Sequence, residues 1–264
     1  MSEYDTILVE RAGRVARVSF NRPEKLNSFN VTQRREFVRA AQEVNADRDI
    51  WVVVLTGAGR AFGAGADLSD TEESGFSGAE GVEDQLNAEY KPGVLAIHHA
   101  RKPWVAAVNG PCAGISYSYA MACDLVLMAE SSYLYQPFVG IGLVPDGGAT
   151  WLLPHLIGSK RAYELMALGE KVSAEKAVEW GLANRVLADD DFALASMAFA
   201  RDLSERSPLA LRYTKEALNF SAAHNLGDTI SKEAALQSIC IGSADSKEAI
   251  TAFFEKRTPA WKGQ

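Results

Sequence analysis

One stretch, from Trp104 to Gly158, limits what this chain can fold into. Within it, Val105 to Val108 is a short apolar run stopped by Asn109, Gly110 and Pro111, the pattern of a buried strand that ends in a turn. A glycine-containing turn then opens a helix expected over Ile115 to Ala122, and that helix leads directly into a second apolar run, Leu125 to Ala129. Strand, turn, helix and strand in this order form an α/β unit. Near the end of the stretch a single acid, Asp146, sits between Pro145 and the pair Gly147-Gly148, in a region otherwise nearly free of charge.

Ahead of this stretch, Thr6 to Glu10 and Val15 to Phe20, separated at Ala12 and Gly13, read as an opening β-hairpin. Asn21, Arg22 and Pro23 break it, and the loop to Asn30 carries Arg22 and Lys25 before a helix cap near Asn30. The plainer role for these cations is a solvated surface; the other is an anchor for phosphate. A helix is expected from Val31 to Ala46, with Phe37, Ala40, Ala41 and Val44 on one face, then a continuous apolar strand from Trp51 to Leu55. That strand runs into TGAGRAFGAGADL, Thr56 to Leu68, whose glycines free the backbone to turn sharply or approach a ligand closely. They lack the spacing of a dinucleotide fingerprint and no acid closes a following strand, so no Rossmann-type cofactor site is expected. The acidic, glycine- and serine-rich segment from Ser69 to Gly81 reads as a mobile loop, and Val82 to Ala100 returns to helical spacing. His98 and His99 are adjacent and cannot share a helix face as a metal pair would, which leaves them as helix-end residues.

Beyond the central stretch, Ser159 to Leu168 and Ser173 to Trp180 read as short helices, each begun by a serine cap, and Asn184 to Leu187 as an edge strand. From about Asp191 to Phe254 helix follows helix, with breaks expected at Ser207-Pro208, Gly227 and Gly242. The chain thus divides into an α/β core over 1–200 and a helical subdomain over 201–264, whose apolar positions Ala234, Leu236, Ile239 and Cys240 suit packing on a neighbouring subunit. A net charge of −7 argues against nucleic acid or an anionic membrane as the main partner. The three cysteines show neither metal-ligand spacing nor an even framework, which suits a reducing cytoplasm. The opening MSEYDTILVE is neither a signal nor a transit peptide, and no apolar run reaches membrane-spanning length.

Several chemistries are missing. Gly114-Ile115-Ser116-Tyr117-Ser118 fails the G-x-S-x-G elbow at its last position, and no Walker loop or metal cluster occurs. What remains is a pair of glycine-rich turns, around Gly65-Ala66 and Gly114-Ile115, each following a buried strand and leading into a helix. Such turns serve simple loop closure, or they present free backbone N–H groups toward one point, as an oxyanion hole does. Asp146 likewise has two readings. It is well placed to cap a helix over Ala149 to Leu156. Among Phe138, Val139, Ile141, Leu143, Val144, Trp151 and Leu152 it is also placed to be desolvated, which raises a carboxyl pKa and suits it to proton transfer.

Taken together, NRPEKLNSFN, LTGAGRAFGAGADL, KPWVAAVNGPCAG, ACDLVLMAE, VGIGLVPDGGATWLLPHLIG and GSADSKEAITAFFEKR resemble, in content and order, the crotonase superfamily, the enoyl-CoA hydratase/isomerase family. The resemblance covers nearly the whole chain. It implies a spiral of ββα units, a C-terminal helical trimerisation region giving a trimer or a dimer of trimers, and an acyl-CoA thioester as the ligand with no separate cofactor. Carried over by position, the oxyanion-hole donors are the backbone N–H groups of Ala66 and Ile115; a backbone donor tolerates the isoleucine that stands in place of the usual glycine. Arg22 and Lys25 would lie near the CoA phosphates, and the backbone of Ala64, Ala66, Asp67 and Leu68 along the adenine and pantetheine path. Phe253 and Lys256 would complete that site from the C-terminal helix or from an adjacent subunit.

The departures from the family pattern concern catalysis. Its hydratases carry two glutamates, at positions held here by Ser118 and Phe138. Adding water to a double bond wants one group to activate the water and another to manage the α proton. Moving a double bond needs one carboxylate, and Asp146 falls where dienoyl-CoA isomerases and phenylacetate-pathway isomerases carry theirs. VPDGGATWLLP and GSADSKEAITAFFEKR are particularly similar to the latter. The same slot holds the nucleophile of aromatic acyl-CoA dehalogenases, although the other features follow the isomerase pattern. The expected activity is therefore enoyl-CoA isomerisation. The alternatives are a weak hydratase, or a CoA-ester-binding protein without catalysis in which Asp146 is only a cap. Tyr117, Tyr119, Tyr135, Phe138 and Trp151 suit a bulky acyl group or plain core.

Overall fold

The strand runs show no hydrophobic alternation because the sheet they build is covered on both faces. The computed structural model describes residues 3–70 and 78–264. Its strands are β1 (Ile7–Ala12), β2 (Val15–Phe20), β3 (Val52–Gly57), β4 (Trp104–Val108), β5 (Cys112–Ala113), β6 (Leu125–Ala129), β7 (Tyr133–Tyr135), β8 (Lys171–Ser173) and β9 (Arg185–Leu187). Its helices are α1 (Val31–Ala46), α2 (Gly78–Gln85), α3 (Lys91–His98), α4 (Ile115–Ala122), α5 (Ala149–Ile157), α6 (Ser159–Leu168), α7 (Ala174–Trp180), α8 (Phe192–Ser204), α9 (Pro208–Ser221), α10 (Leu226–Gly242) and α11 (Ala244–Glu255).

The larger sheet runs in the order β1-β2-β3-β4-β6-β9 and the smaller in the order β5-β7-β8. The opening hairpin β1–β2 is antiparallel, and every later pairing in the larger sheet is parallel. After β3 the chain alternates between sheets: β4 and β5 precede α4, and β6 and β7 precede α5, so each β–β–α step contributes one strand to each sheet. Successive side chains on a strand point to opposite faces. Val53 and Leu55, Ala106 and Val108, and Val126 and Met128 accordingly meet Phe37, Ile97 and Tyr119 on one face. Val52, Val54, Val105, Ala107 and Leu127 meet Phe192 and Ala200 of α8 on the other. The helix α8 runs across residue 200, so the helices that follow the two-faced core begin with α9 at Pro208. Lys215 ties α9 to that core through its Nζ, 2.8 Å from both the Ile97 carbonyl and Asp124 Oδ2.

Several expectations are corrected. The segments β5, β7 and β8 are too short to register as hydrophobic runs and were missed by sequence. Ser173 caps α7 by accepting from Lys176 N, but Ser159 caps nothing: α6 is preceded by Gly158, with no side-chain cap bond. The break expected at Gly227 falls earlier, because Asn225 caps α10 and Gly227 lies inside it. Of the loop expected from Ser69 to Gly81, residues 71–77 lie outside the described residues, Gly78 to Gly81 open α2, and Asp70 Oδ2 accepts from Val31 N at 2.7 Å. The helix expected over Val82 to Ala100 is divided by a π turn, Leu86–Tyr90, closed by Lys91 N donating to Leu86 O. Among the described residues, no helix is long and apolar enough to cross a membrane.

Candidate active site

The two glycine-rich turns meet at the sheet edge. Phe29 N donates to Gly65 O at 2.8 Å and Phe29 O accepts from Asp67 N at 3.0 Å, a parallel bridge that turns both polar backbone groups of Ala66 away from Phe29. Gly63 is bridged to Cys112 in the same way, and Gly65 N donates to Ser116 Oγ at 3.2 Å, which holds the first turn against the start of α4. Gly114 adopts φ 57° and ψ −130°, a conformation that side-chain-bearing residues rarely take. A Cβ there would stand 3.3 Å from the Gly65 Cα. Ile115 opens α4, where first-turn amides have no helical acceptor. Neither the Ala66 nor the Ile115 amide donates a hydrogen bond among the described residues. Two free N–H groups therefore lie on turns in van der Waals contact.

Asp146 also meets the start of α4, through its backbone. Ser118 Oγ donates to its backbone carbonyl at 2.9 Å, and a Cβ on Gly147 would lie 2.2 Å from Ile115 Cδ1, so the Asp146–Gly147 backbone rests directly on the first turns of α4. The capping role is not realised: α5 begins after Gly148 and receives no side-chain cap bond. The carboxylate Oδ1 is instead enclosed without a hydrogen-bond partner among the described residues. Burial pushes the Asp146 carboxyl up to about 6, opposed only by its own backbone amide. Beside it a cavity of about 300 Å³ is lined by Leu86, Tyr90, Val94, Leu95, Gly147 and Gly148, with Asn87 and Lys91. Phe138 is buried, its ring tip 3.9 Å from the Gly114 Cβ position, while Ser118 is wholly buried and committed to Asp146.

The other expected site residues are placed less uniformly. Arg22 and Asp67 form an ion pair at 2.9 Å with side chains 15% and 9% exposed, and Arg22 also donates to the Ser28 carbonyl. Burial raises the Asp67 carboxyl, but hydrogen bonds from Ser69 and Arg22 outweigh it and hold the group below its usual range. Arg22 thus braces the turn that carries Ala66, whereas Lys25 is exposed on the adjoining loop. We expect Arg22→Ala to cost about 2 kcal/mol in urea unfolding, because it leaves one oxygen of the part-buried Asp67 carboxylate and the Ser28 carbonyl without the guanidinium, Ser69 holding only the other oxygen. Ala64 is fixed by its N–H to Leu26 O, and Leu68, Phe253 and Lys256 are exposed, the last two at the end of α11 without hydrogen bonds to the cluster. Tyr117 and Tyr119 are core. Trp151 is 45% exposed and stacks on His155 at 4.2 Å. Sequence reasoning missed Tyr90 and the buried Arg34–Glu89 ion pair at 2.7 Å, since a π turn leaves no periodic signal. Among the described residues no group of His, Cys, Asp and Glu is arranged to hold a metal ion.

The enoyl-CoA hydratase/isomerase family model matches residues 10–264. The chain is 35% identical over 264 residues to a 1,2-epoxyphenylacetyl-CoA isomerase of Escherichia coli, covering 100% of both chains. It is 36% identical over 261 residues to a probable enoyl-CoA hydratase of Rhodobacter capsulatus, covering 99% of each. The crystal structure of an enoyl-CoA hydratase from Bacillus anthracis superposes with a TM-score of 0.93 at 30% identity, covering 98% of this chain and 100% of that one.

Proposed function

Because the chain belongs to the enoyl-CoA hydratase/isomerase family and has its fold, we propose that it is an isomerase that moves the double bond of an enoyl-CoA thioester from the 3 to the 2 position. The Asp146 carboxylate removes a proton from C2, the electron pair passes to the thioester oxygen as a dienolate, and the same carboxyl returns the proton to C4. The Ala66 and Ile115 amides receive the developing oxyanion, each lowering the barrier by about 3 kcal/mol. The observation that carries this reading is the state of Asp146: desolvated, released from capping, with its backbone packed on the turn that bears Ile115. Ser118 and Phe138 offer no second carboxylate for hydration.

The test is a product analysis. With 3-hexenoyl-CoA the wild-type protein yields 2-hexenoyl-CoA, and with crotonyl-CoA it gives hydration near background. Fast crotonyl-CoA hydration indifferent to Asp146→Asn would establish a hydratase instead, and tight acyl-CoA binding without turnover a binding protein. The E. coli relative is named for an aromatic epoxide thioester, so ring-bearing thioesters belong in the same panel. The activity also carries a pH signature. Only the ionised carboxylate accepts a proton, so kcat/KM rises with pH and levels off above a midpoint near 6, read directly from a pH–rate profile. The exposed apolar residues Leu226, Ile239, Ile241, Phe253 and Phe254 on α10 and α11 are the surface on which we place contact between subunits of a trimer or a dimer of trimers.

A further inference from the structure

We infer that Arg34 is a positioning residue for the Ala66 amide: its guanidinium, near the start of α1, holds the carbonyl of Phe29, the residue whose bridge presents that N–H. The inference rests on the reading of Ala66 as an oxyanion donor. Two bonds make the bridge, Phe29 N to Gly65 O at 2.8 Å and Asp67 N to Phe29 O at 3.0 Å, and Ala66 lies between them with its own N–H turned away from Phe29. A group that fixes Phe29 thereby fixes the direction of the Ala66 N–H. Arg34 Nη1 donates to the same Phe29 oxygen at 3.1 Å, so this carbonyl takes one donor from the turn and one from α1. Arg22 acts on the turn through the Asp67 side chain, Arg34 through the Phe29 main chain.

The guanidinium is itself set by two carboxylates. Glu89 Oε2 accepts from Arg34 Nε at 2.7 Å, and Glu89 Oε1 accepts from Arg35 Nε at 2.8 Å. Asp70, beyond the turn, accepts from Val31 N at 2.7 Å and has the same Oδ2 3.8 Å from Arg34 Nη1. One side chain thus joins Phe29, the segment that follows Ala66, and the π turn. The Arg34 and Glu89 side chains are 3% and 4% exposed. Such a pair is a poor source of stability, because taking both charges out of water offsets most of their attraction. Nη2 has no partner among the described residues, so not every donor of this costly group is used for cohesion. What the pair supplies, and apolar side chains of similar size would not, is a directed donor on the Phe29 oxygen. The π turn that carries Glu89 also gives Leu86, Asn87 and Tyr90 to the cavity beside Gly147, so cavity wall and Ala66 turn are linked through two side chains.

The test reads the thioester carbonyl itself. Hexanoyl-CoA is saturated and does not react; with an isotope-labelled carbonyl its band can be followed by difference infrared spectroscopy at saturating protein, and a hydrogen bond to the oxygen lowers the frequency. Arg34→Lys keeps the charge but replaces the planar fork with a point donor. Arg34→Met/Glu89→Met removes both charges together, a change that buried pairs tolerate, and so keeps the fold available for measurement. Both should move the bound band upward from its wild-type position and lower kcat on the order of tenfold with KM nearly unchanged, short of the roughly 10²-fold loss of an absent donor. Lys102→Met removes a buried cation from the other end of α1, where its Nζ donates to the Val44 and Asp47 carbonyls at 2.7 Å. It should cost stability and leave band and kcat in place. A lowered wild-type band that neither Arg34 variant moves, or the same shift in Lys102→Met, would overturn the assignment. A wild-type band that binding does not lower would remove the donors of the proposed reaction as well as this assignment, so the two failures are told apart.

Discussion

Asp146→Asn lowers kcat for isomerisation by about three orders of magnitude while binding of the thioester holds, because the substitution removes the proton acceptor and little else. Asparagine has the same shape, and among the described residues Asp146 makes no side-chain hydrogen bond that the change would break. The variant is also expected to be the more stable protein at neutral pH. The folded carboxyl binds its proton more tightly than the ordinary value of 3.8, with a midpoint of about 6. Both folded and unfolded chains are protonated below the lower value, so nothing is lost there. Between the two the unfolded chain releases its proton first, and stability falls as pH rises until the folded group ionises too. After allowance for partial exposure the full penalty is roughly 2 kcal/mol. Thermal melts of the two proteins should therefore coincide near pH 4 and separate above pH 6, with Asp146→Asn melting higher. A variant that loses activity and gains stability marks a residue retained for chemistry.

Gly114→Ala is the second large effect. The alanine Cβ meets the Gly65 Cα at 3.3 Å, and the residue cannot relax easily from φ 57° and ψ −130°. Staying in place costs on the order of 1–3 kcal/mol of strain. Yielding displaces the Ile115 amide, which follows it directly and which the proposed reaction uses as an oxyanion donor. Removing one oxyanion donor in other enzymes lowers kcat by about 10²- to 10³-fold, and we expect a loss of that size here. The control is Gly13→Ala in the hairpin turn, where φ is 62° but nothing lies within 4 Å of the added Cβ. It should cost stability without activity, so that comparing the two separates strain from displacement of the donor.

The parts of this molecule that sequence shows plainly are those decided by local chemistry. The runs Val105 to Val108 and Leu125 to Ala129 are strands because each residue faces one of two apolar layers, and Asn30 caps α1 through Gln33 N as its side chain and position require. The glycines at 65 and 114 are equally visible as turns, but that the turns touch depends on the bridges of Phe29 to Ala66 and of Gly63 to Cys112, pairings between segments far apart in the chain. The two readings of Asp146 could not be separated locally either. An acid before two glycines and a helix suits a cap, yet α5 has no side-chain cap bond and Gly147 packs on Ile115 instead. Arg22 illustrates the converse. A loop cation suggests a ligand or solvent, whereas tertiary structure pairs it with Asp67. Tyr90 was illegible because its burial comes from a π turn, and the strict helical period that sequence reading relies on fails there.

The central claim is that one carboxyl group carries one proton between two carbons. Converting 3-hexenoyl-CoA deuterated at C2 in ordinary water, for a single turnover, and locating the label in the product tests it most directly. A group as desolvated as Asp146 should return much of what it removed, giving 2-hexenoyl-CoA with deuterium at C4. Product carrying only solvent hydrogen at C4 would mean that water or a second group delivers the proton, and would contradict the account.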